Sequence, residues 1–372
     1  MTKNNLAGNG RLLSLDALRG FDMMFIMGLS GIIVSICSLF PDGDTSWLAM
    51  QMSHVKWEGF HHHDTIFALF LFISGMTFPF SSAKKLEKGL SKGDITREVL
   101  KRACILFFLG LVYQGFFHFH FATLRVMSVL GRIGIAWALA AIIYCYTGRK
   151  TQYGIAAGIL IGYFLLLKFT IAPDAPAGAD SMSKMGNISY YIDRIILGNH
   201  AYKPYGDPEG LVSTIPAIVT ALLGMFTGRY VKESDDSGEK KTLKLLGAAV
   251  LTGVAAALWS IWFPVIKNLW TSTFVLAAAS YSLAVFAIFY YIIDVKGWRK
   301  GVIFFQVVGM NSITIYLAQA FIDFQKIGDF FLSGVAELVP EVFGAVILRI
   351  GYFTAAWLML YFMYKKNVFL KV

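Results

Sequence analysis

An all-α, polytopic membrane protein of about ten transmembrane helices is predicted for this chain, and three observations predict it. Of its 372 residues 56% are hydrophobic and 15% charged, whereas soluble domains carry about a quarter charged residues. Apolar runs of about 20 residues, long enough to cross a hydrocarbon core of about 30 Å, recur from one end to the other, and mean hydropathy is +0.61. Basic residues alternate with those runs in a strongly one-sided way. Together these features exclude a soluble globular enzyme.

Ten spans are read at about 17–40, 64–82, 99–117, 126–146, 152–171, 211–230, 245–263, 270–293, 301–322 and 343–364. With the N-terminus in the cytoplasm, the inner segments hold 23 of the Lys and Arg residues and the outer segments 8. The inner set includes Lys3, Arg11, Arg19, the run over 84–102 and Lys371. Both termini are therefore expected in the cytoplasm. The net charge of +10 orients the protein and is not a nucleic-acid patch. No cleavable signal peptide is expected, because no small-residue cleavage site follows the first apolar run. Cys37, Cys104 and Cys145 have no metal-ligand spacing and read as packing residues. No internal repeat or soluble domain is visible, so residues 1–372 are read as one membrane domain.

The first span opens SLDALRGFDMM, with Asp16 and Arg19 one helical turn apart and Asp22 one turn deeper. A charge at that depth needs a partner. A structural ion pair and an anion-binding role both fit. After it comes HVKWEGFHHHDTIFALFLFISG at residues 54–75, where His54, Trp57, His61, His62, His63 and Asp64 crowd at the mouth of an apolar helix. An imidazole there can accept a proton near neutral pH; a solvated or metal-binding loop is the plainer alternative. Three consecutive histidines at a helix start point in different directions, so each alone is expected to be dispensable. All seven histidines fall on the outer side, which places proton or metal chemistry there.

Span four carries Arg132 roughly 10 Å below its outer end. An arginine at that depth needs a carboxylate, carbonyl or phosphate, and Asp64 is one candidate partner. The long external segment 172–210 ends GDPEG, with Asp207 and Glu209 at the threshold of span six. Carboxylates beside its tyrosines suit a sugar, although tyrosines at a membrane interface are commonly anchors. Span nine holds Asn311 near mid-membrane and Tyr316 toward the outer side; Gly309 there permits close helix approach. Residues 323–342 read as a short external amphipathic element.

Five segments in order resemble the heparan-alpha-glucosaminide N-acetyltransferase family: SLDALRGFDM at 14–23, His54-x-x-Trp57-x-Gly59 followed by Asp64, VLGRIGIAW around Arg132, GDPEGLVSTIPAI at 206–218 and GMNSITIY at 309–316. The resemblance spans most of the chain. It implies transfer of an acetyl group from acetyl-CoA to the amino group of a glucosamine-type sugar, with the His of the His-x-x-Trp motif essential. That residue is His54, as base or transient acyl carrier. Asp64 is expected to orient an imidazole, and Asn311 or Tyr316 to donate to the oxyanion. Arg19 and Arg132 are candidates for phosphate contacts with acetyl-CoA. Ser30 or Gly28 stands where the lysosomal member has an Asn, and Phe67-Ala68 where the family often has Phe-Pro. Trp57, Asp207 and Glu209 are the substrate-binding candidates, and no metal is expected. The implied setting is a bacterial cytoplasmic membrane, with the lipid bilayer and an amino sugar as partners, no nucleic acid, and a homodimer as the expected assembly. A proton- or metal-coupled transporter using the external histidines is the alternative.

Overall fold

A computed structural model of the chain describes residues 12–370. Lys3, Arg11 and Lys371, three of the residues in the charge count above, lie outside the described residues. The described residues are helical with no strand, apart from isolated bridges such as that between Ile171 and Asn187. The helices are α1 (Leu13–Cys37), α2 (His62–Glu87), α3 (Lys92–Tyr113), α4 (Val129–Tyr146), α5 (Arg149–Phe169), α6 (Ile188–Leu197), α7 (Thr214–Glu233), α8 (Gly238–Ser260), α9 (Ser272–Val295), α10 (Val302–Met310), α11 (Ser312–Phe321), α12 (Phe324–Ala336) and α13 (Glu341–Lys365).

Eight of these are long and apolar enough to cross a membrane, or nine if α10 and α11 count as one bent span. The expected count was about ten. The difference is α3, whose membrane-length stretch still carries Arg97, Glu98, Lys101 and Arg102. It packs along α4 all the same. The chain is thus an integral membrane protein of helical architecture.

α2 and α7 form the centre of the bundle, while α5, α8 and α13 turn most of their surface outward. The central pair is close because its contact is made of glycines. A Cβ on Gly224 would sit 2.1 Å from the Phe72 carbonyl oxygen, one on Gly228 2.2 Å from that of Met76, and one on Gly75 2.2 Å from that of Ala221. Backbones approach this closely only where small residues face each other. Gly224→Val is therefore expected to push α2 and α7 apart, costing about 1–3 kcal/mol as overpacking does. A fall of several degrees in the unfolding midpoint in detergent, with Gly158→Ala as an unaffected control, checks this; nothing lies within 4 Å of a Cβ on Gly158. α1 crosses α10 in the same manner: a Cβ on Gly309 would be 2.0 Å from the Asp16 carbonyl oxygen, as its presence in span nine suggested.

Two spans are interrupted at the same depth. α1 widens into a π-turn at Phe25–Leu29, where Gly28 takes φ +123°, a conformation that side chains other than glycine resist. The ninth span breaks at Asn311, between α10 and α11, with a 66° bend. Within residues 323–342 stands the short helix α12, with only Phe324, Gly328 and Ala336 of it buried. α12 runs back along the first turns of α13, and a Cβ on Gly328 would meet Gly351 at 2.7 Å, so this segment is part of the bundle.

Candidate active site

The site begins with the free backbone N–H groups at the start of α2. Asp64, the third residue of that helix, accepts hydrogen bonds from the His61 N–H at 3.2 Å and the Val55 N–H at 3.4 Å. A carboxylate is favoured at a helix N-terminus by the unpaired N–H groups and the helix dipole. The residues before α2 are thereby folded back over its end. Gly59, at φ +131°, then donates its N–H to the Val265 carbonyl at 2.9 Å. That bond stitches the His54 loop to the α8–α9 connection.

The connection delivers Lys267. Its Nζ lies 3.0 Å from His54 Nδ1 and 3.4 Å from Asp64 Oδ1, and His54 Nδ1 is 2.8 Å from the same Asp64 oxygen. The His54 side chain is 55% exposed and that of Asp64 1%, so a buried carboxylate orients an accessible ring. Burial pushes the Lys267 ammonium below the usual lysine range, opposed by the charges of Asp64 and Glu209. Nothing in the sequence marked Lys267. A single lysine in an outer loop reads as a topogenic charge, and only Gly59, spaced five residues from His54, hinted at a loop with a fixed partner.

The three consecutive histidines separate as the helix start demands. His63 packs its ring 4.5 Å from that of His54, and its Nδ1 is 3.2 Å from Ser30 Oγ. His62 turns to the Tyr281 hydroxyl at 2.8 Å, and His61 to the Ser53 carbonyl at 3.0 Å. Among the described residues no group of three or more His, Cys, Asp or Glu is arranged to hold a metal ion.

Beneath His54, His63, Lys267 and Glu209 lies a cavity of about 180 Å³. Its deeper walls are Met23 and Ile26 of α1, Ile66, Phe67 and Phe70 of α2, Ile133 of α4, and Ser312, Ile313 and Tyr316 of α11. Phe70 is roughly 10 Å below His63 at 1.5 Å per residue. The cavity is polar at its mouth and apolar below, and it ends beside both interrupted helices. Tyr316 lines it while stacking on Tyr113 with ring centroids 4.6 Å apart.

The other predicted residues stand apart from this space. Asn311 is buried at the break itself, and its Nδ2 donates to the Val368 carbonyl at 3.3 Å; its neighbour Ser312 faces the cavity instead. Arg132 is fully buried. Its Nη2 donates to the Pro208 carbonyl at 2.6 Å and to Ser213 Oγ, and its guanidinium lies 5.0 Å from the Trp270 ring. Its partners are thus a carbonyl and a hydroxyl, not Asp64. Asp207 is fully buried and held by Arg125 at 2.6 and 2.9 Å, and the same Arg125 pairs with Glu209. Trp57 donates its indole N–H to the Met182 carbonyl at 3.0 Å, fastening the loop to the segment 172–210. Arg19 lies near the opposite end of the bundle, 6.0 Å from the Phe70 ring. Asp22 is buried one turn further along α1, and its Oδ2 has no hydrogen-bond partner among the described residues.

No protein-family model matches this chain. Among curated proteins, human heparan-alpha-glucosaminide N-acetyltransferase is 24% identical over 421 aligned positions, and the mouse protein of that name 26% over 423. Both alignments take in 97% of this chain. Over nearly all of its length the chain is thus similar to heparan-alpha-glucosaminide N-acetyltransferases. It spans 60% of the length of these curated relatives. The His54–Asp64 pair comes from one stretch of sequence, whereas Lys267 and Glu209 reach it from later connections.

Proposed function

We propose that this chain is a membrane-embedded acetyltransferase, in one acyltransferase domain, that moves an acetyl group from acetyl-CoA on the cytoplasmic side to the amino group of a glucosamine-type sugar on the outer side. Similarity to heparan-alpha-glucosaminide N-acetyltransferases over 97% of the chain supports the reaction class. The observation that carries the reading is the accessible His54, oriented by buried Asp64, over a cavity leading toward the basic end of the bundle. A bacterial cytoplasmic membrane with both termini inside fits the distribution of basic residues.

In this reaction His54 takes a proton from the attacking amine as its nitrogen bonds to the acetyl carbon. The carbon–sulfur bond then breaks, and the departing thiolate recovers the proton to give the free thiol. A transient acetyl-imidazole on His54 reaches the same products in two steps. The Tyr316 hydroxyl is the cavity-wall donor for the developing oxyanion. Met23 is roughly 15 Å along α1 from its first residue, a distance suited to an extended pantetheine arm.

The nucleotide end then belongs near Arg19 and Arg102. The Arg102 guanidinium lies 4.7 Å from the Trp137 ring and within electrostatic reach of Arg19. Arg102→Glu is expected to raise KM for acetyl-CoA about tenfold or more, the worth of one charge-assisted hydrogen bond, and to change kcat less. Sealed vesicles of known orientation test the arrangement. Transfer to an external sugar should require acetyl-CoA on the cytoplasmic face, and equal transfer with acetyl-CoA supplied only outside would overturn it.

The interruptions at Gly28 and Asn311 favour a second reading, since carriers place substrates beside broken helices. It predicts exchange of labelled sugar across the same vesicles with acetyl-CoA omitted. Absence of that exchange leaves the transferase.

A further inference from the structure

α7 and α8 follow one another in the chain, yet each packs on α9 and a groove is left between them. Its volume is about 340 Å³, larger than the cavity under His54 and within the range of about 300–1,000 Å³ seen for small-molecule sites. Leu223, Phe226 and Tyr230 of α7 form one wall, Ala248 and Thr252 of α8 the other, and Leu283 of α9 lies below. The hydroxyls of Thr227 and Thr252 are bonded to carbonyls of their own helices at 2.8 Å, so the groove is apolar along its length.

One end differs. There Lys244 lines the groove with its ammonium 5.9 Å from the Tyr230 ring. Asp236 accepts from Lys244 at 2.6 Å and from the Tyr230 hydroxyl at 2.9 Å, and its other oxygen pairs with Lys240 at 2.9 Å. Two ammonium groups thus share one carboxylate. The neighbouring Glu233 and Glu239 are paired elsewhere, with Arg149 and Lys296. Lys232 and Lys241 donate to the Pro79 and Val231 carbonyls. With Asp235 counted, four lysines face two carboxylates at this end. The Lys244 side chain is 52% exposed, and an ammonium has three hydrogens to give. From Lys244 to Thr252 is roughly 12 Å along α8 at 1.5 Å per residue, close to the roughly 15 Å of hydrocarbon in one leaflet.

We propose that this groove binds one anionic phospholipid from the leaflet at its basic end. An acyl chain lies between α7 and α8, and the phosphate takes the spare hydrogens of Lys244. A helix is no alternative occupant: at about 10 Å across it would fill roughly 900 Å³ over the same length, far more than the groove holds. A polar solute would find no partner below the rim. α7 begins shortly after Glu209 and α9 shortly after Lys267, so a lipid wedged against both helices steadies the two elements that carry the later residues of the His54 site. The assignment stands apart from the acetyl-transfer reading.

The test uses full-length protein in detergent, mixed with equal amounts of phosphatidylglycerol and phosphatidylcholine of the same chains, with retained lipid read by native mass spectrometry. Wild type should keep one phospholipid per chain and favour phosphatidylglycerol about tenfold, the worth of one charge-assisted hydrogen bond. Lys244→Gln should bring that ratio close to one, and Lys244→Arg should preserve it. Ala248→Phe, which fills the groove, should lose retained lipid of either kind; if it does not fold, Thr252→Phe is read in the same way. Lys88→Gln, at an exposed lysine of the same end of the bundle, should behave as wild type. Wild type that retains neither lipid, or both equally, overturns the assignment. So does a preference that survives Lys244→Gln, or one that Lys88→Gln removes as fully, which marks general surface charge. Lipid retained unchanged in Ala248→Phe places it elsewhere on the protein, and a dimer without lipid that Ala248→Phe dissociates assigns the groove to a second copy; either result overturns the proposal.

Discussion

His54→Ala should reduce acetyl transfer by about three orders of magnitude, within the range expected for a lost general base, while the protein still folds. The side chain is accessible, and its contacts are with Asp64, Lys267 and the ring of His63. Its removal empties a position at the rim and leaves the α2–α7 core untouched. Transfer of label from acetyl-CoA to glucosamine, measured beside the unfolding midpoint, checks both halves. Near-normal turnover with an unchanged midpoint would remove His54 from the mechanism. Loss of turnover together with a lower midpoint would show only that the loop had come apart.

Asp64→Asn should cost about a hundredfold or more, for a different reason. The amide keeps the size of the side chain, but it cannot accept from the His54 ring, the His61 N–H and the Val55 N–H as a carboxylate does. It also leaves the Lys267 ammonium without its nearest anion. The ring is then free to take the wrong tautomer. Because Asp64 acts through His54, the double variant His54→Ala/Asp64→Asn should be no slower than His54→Ala alone. Losses that multiply would give Asp64 a separate role and would break the proposed dependence.

The sequence by itself determined the class of this protein and half of its site. Burying apolar helices in lipid leaves a local signature, so the spans could be counted to within α3, whose charges straddle the boundary between span and surface helix. His54 and Asp64 lie ten residues apart in one motif, and the capping role of Asp64 at the start of α2 is local physics. Gly309 was legible for the same reason, since its place on one helix face already said that a neighbour comes close. What only the tertiary structure decided involves pairs distant in sequence. Lys267 is 213 residues from His54, and no local pattern separates a lysine that reaches the His54–Asp64 pair from one that merely marks a loop. Arg132 needed a partner, and it found Pro208 and Ser213, 76 and 81 residues away, because α7 docks against α4 and not because any nearby carboxylate was to hand. Asn311 looked like a mid-membrane donor, yet a polar residue reads alike in a straight span and at a break. The 66° bend turns its side chain to the C-terminal segment and gives the cavity Ser312 and Tyr316 instead. Local chemistry is written along the chain, whereas the closing of one loop on another depends on packing that no short stretch contains.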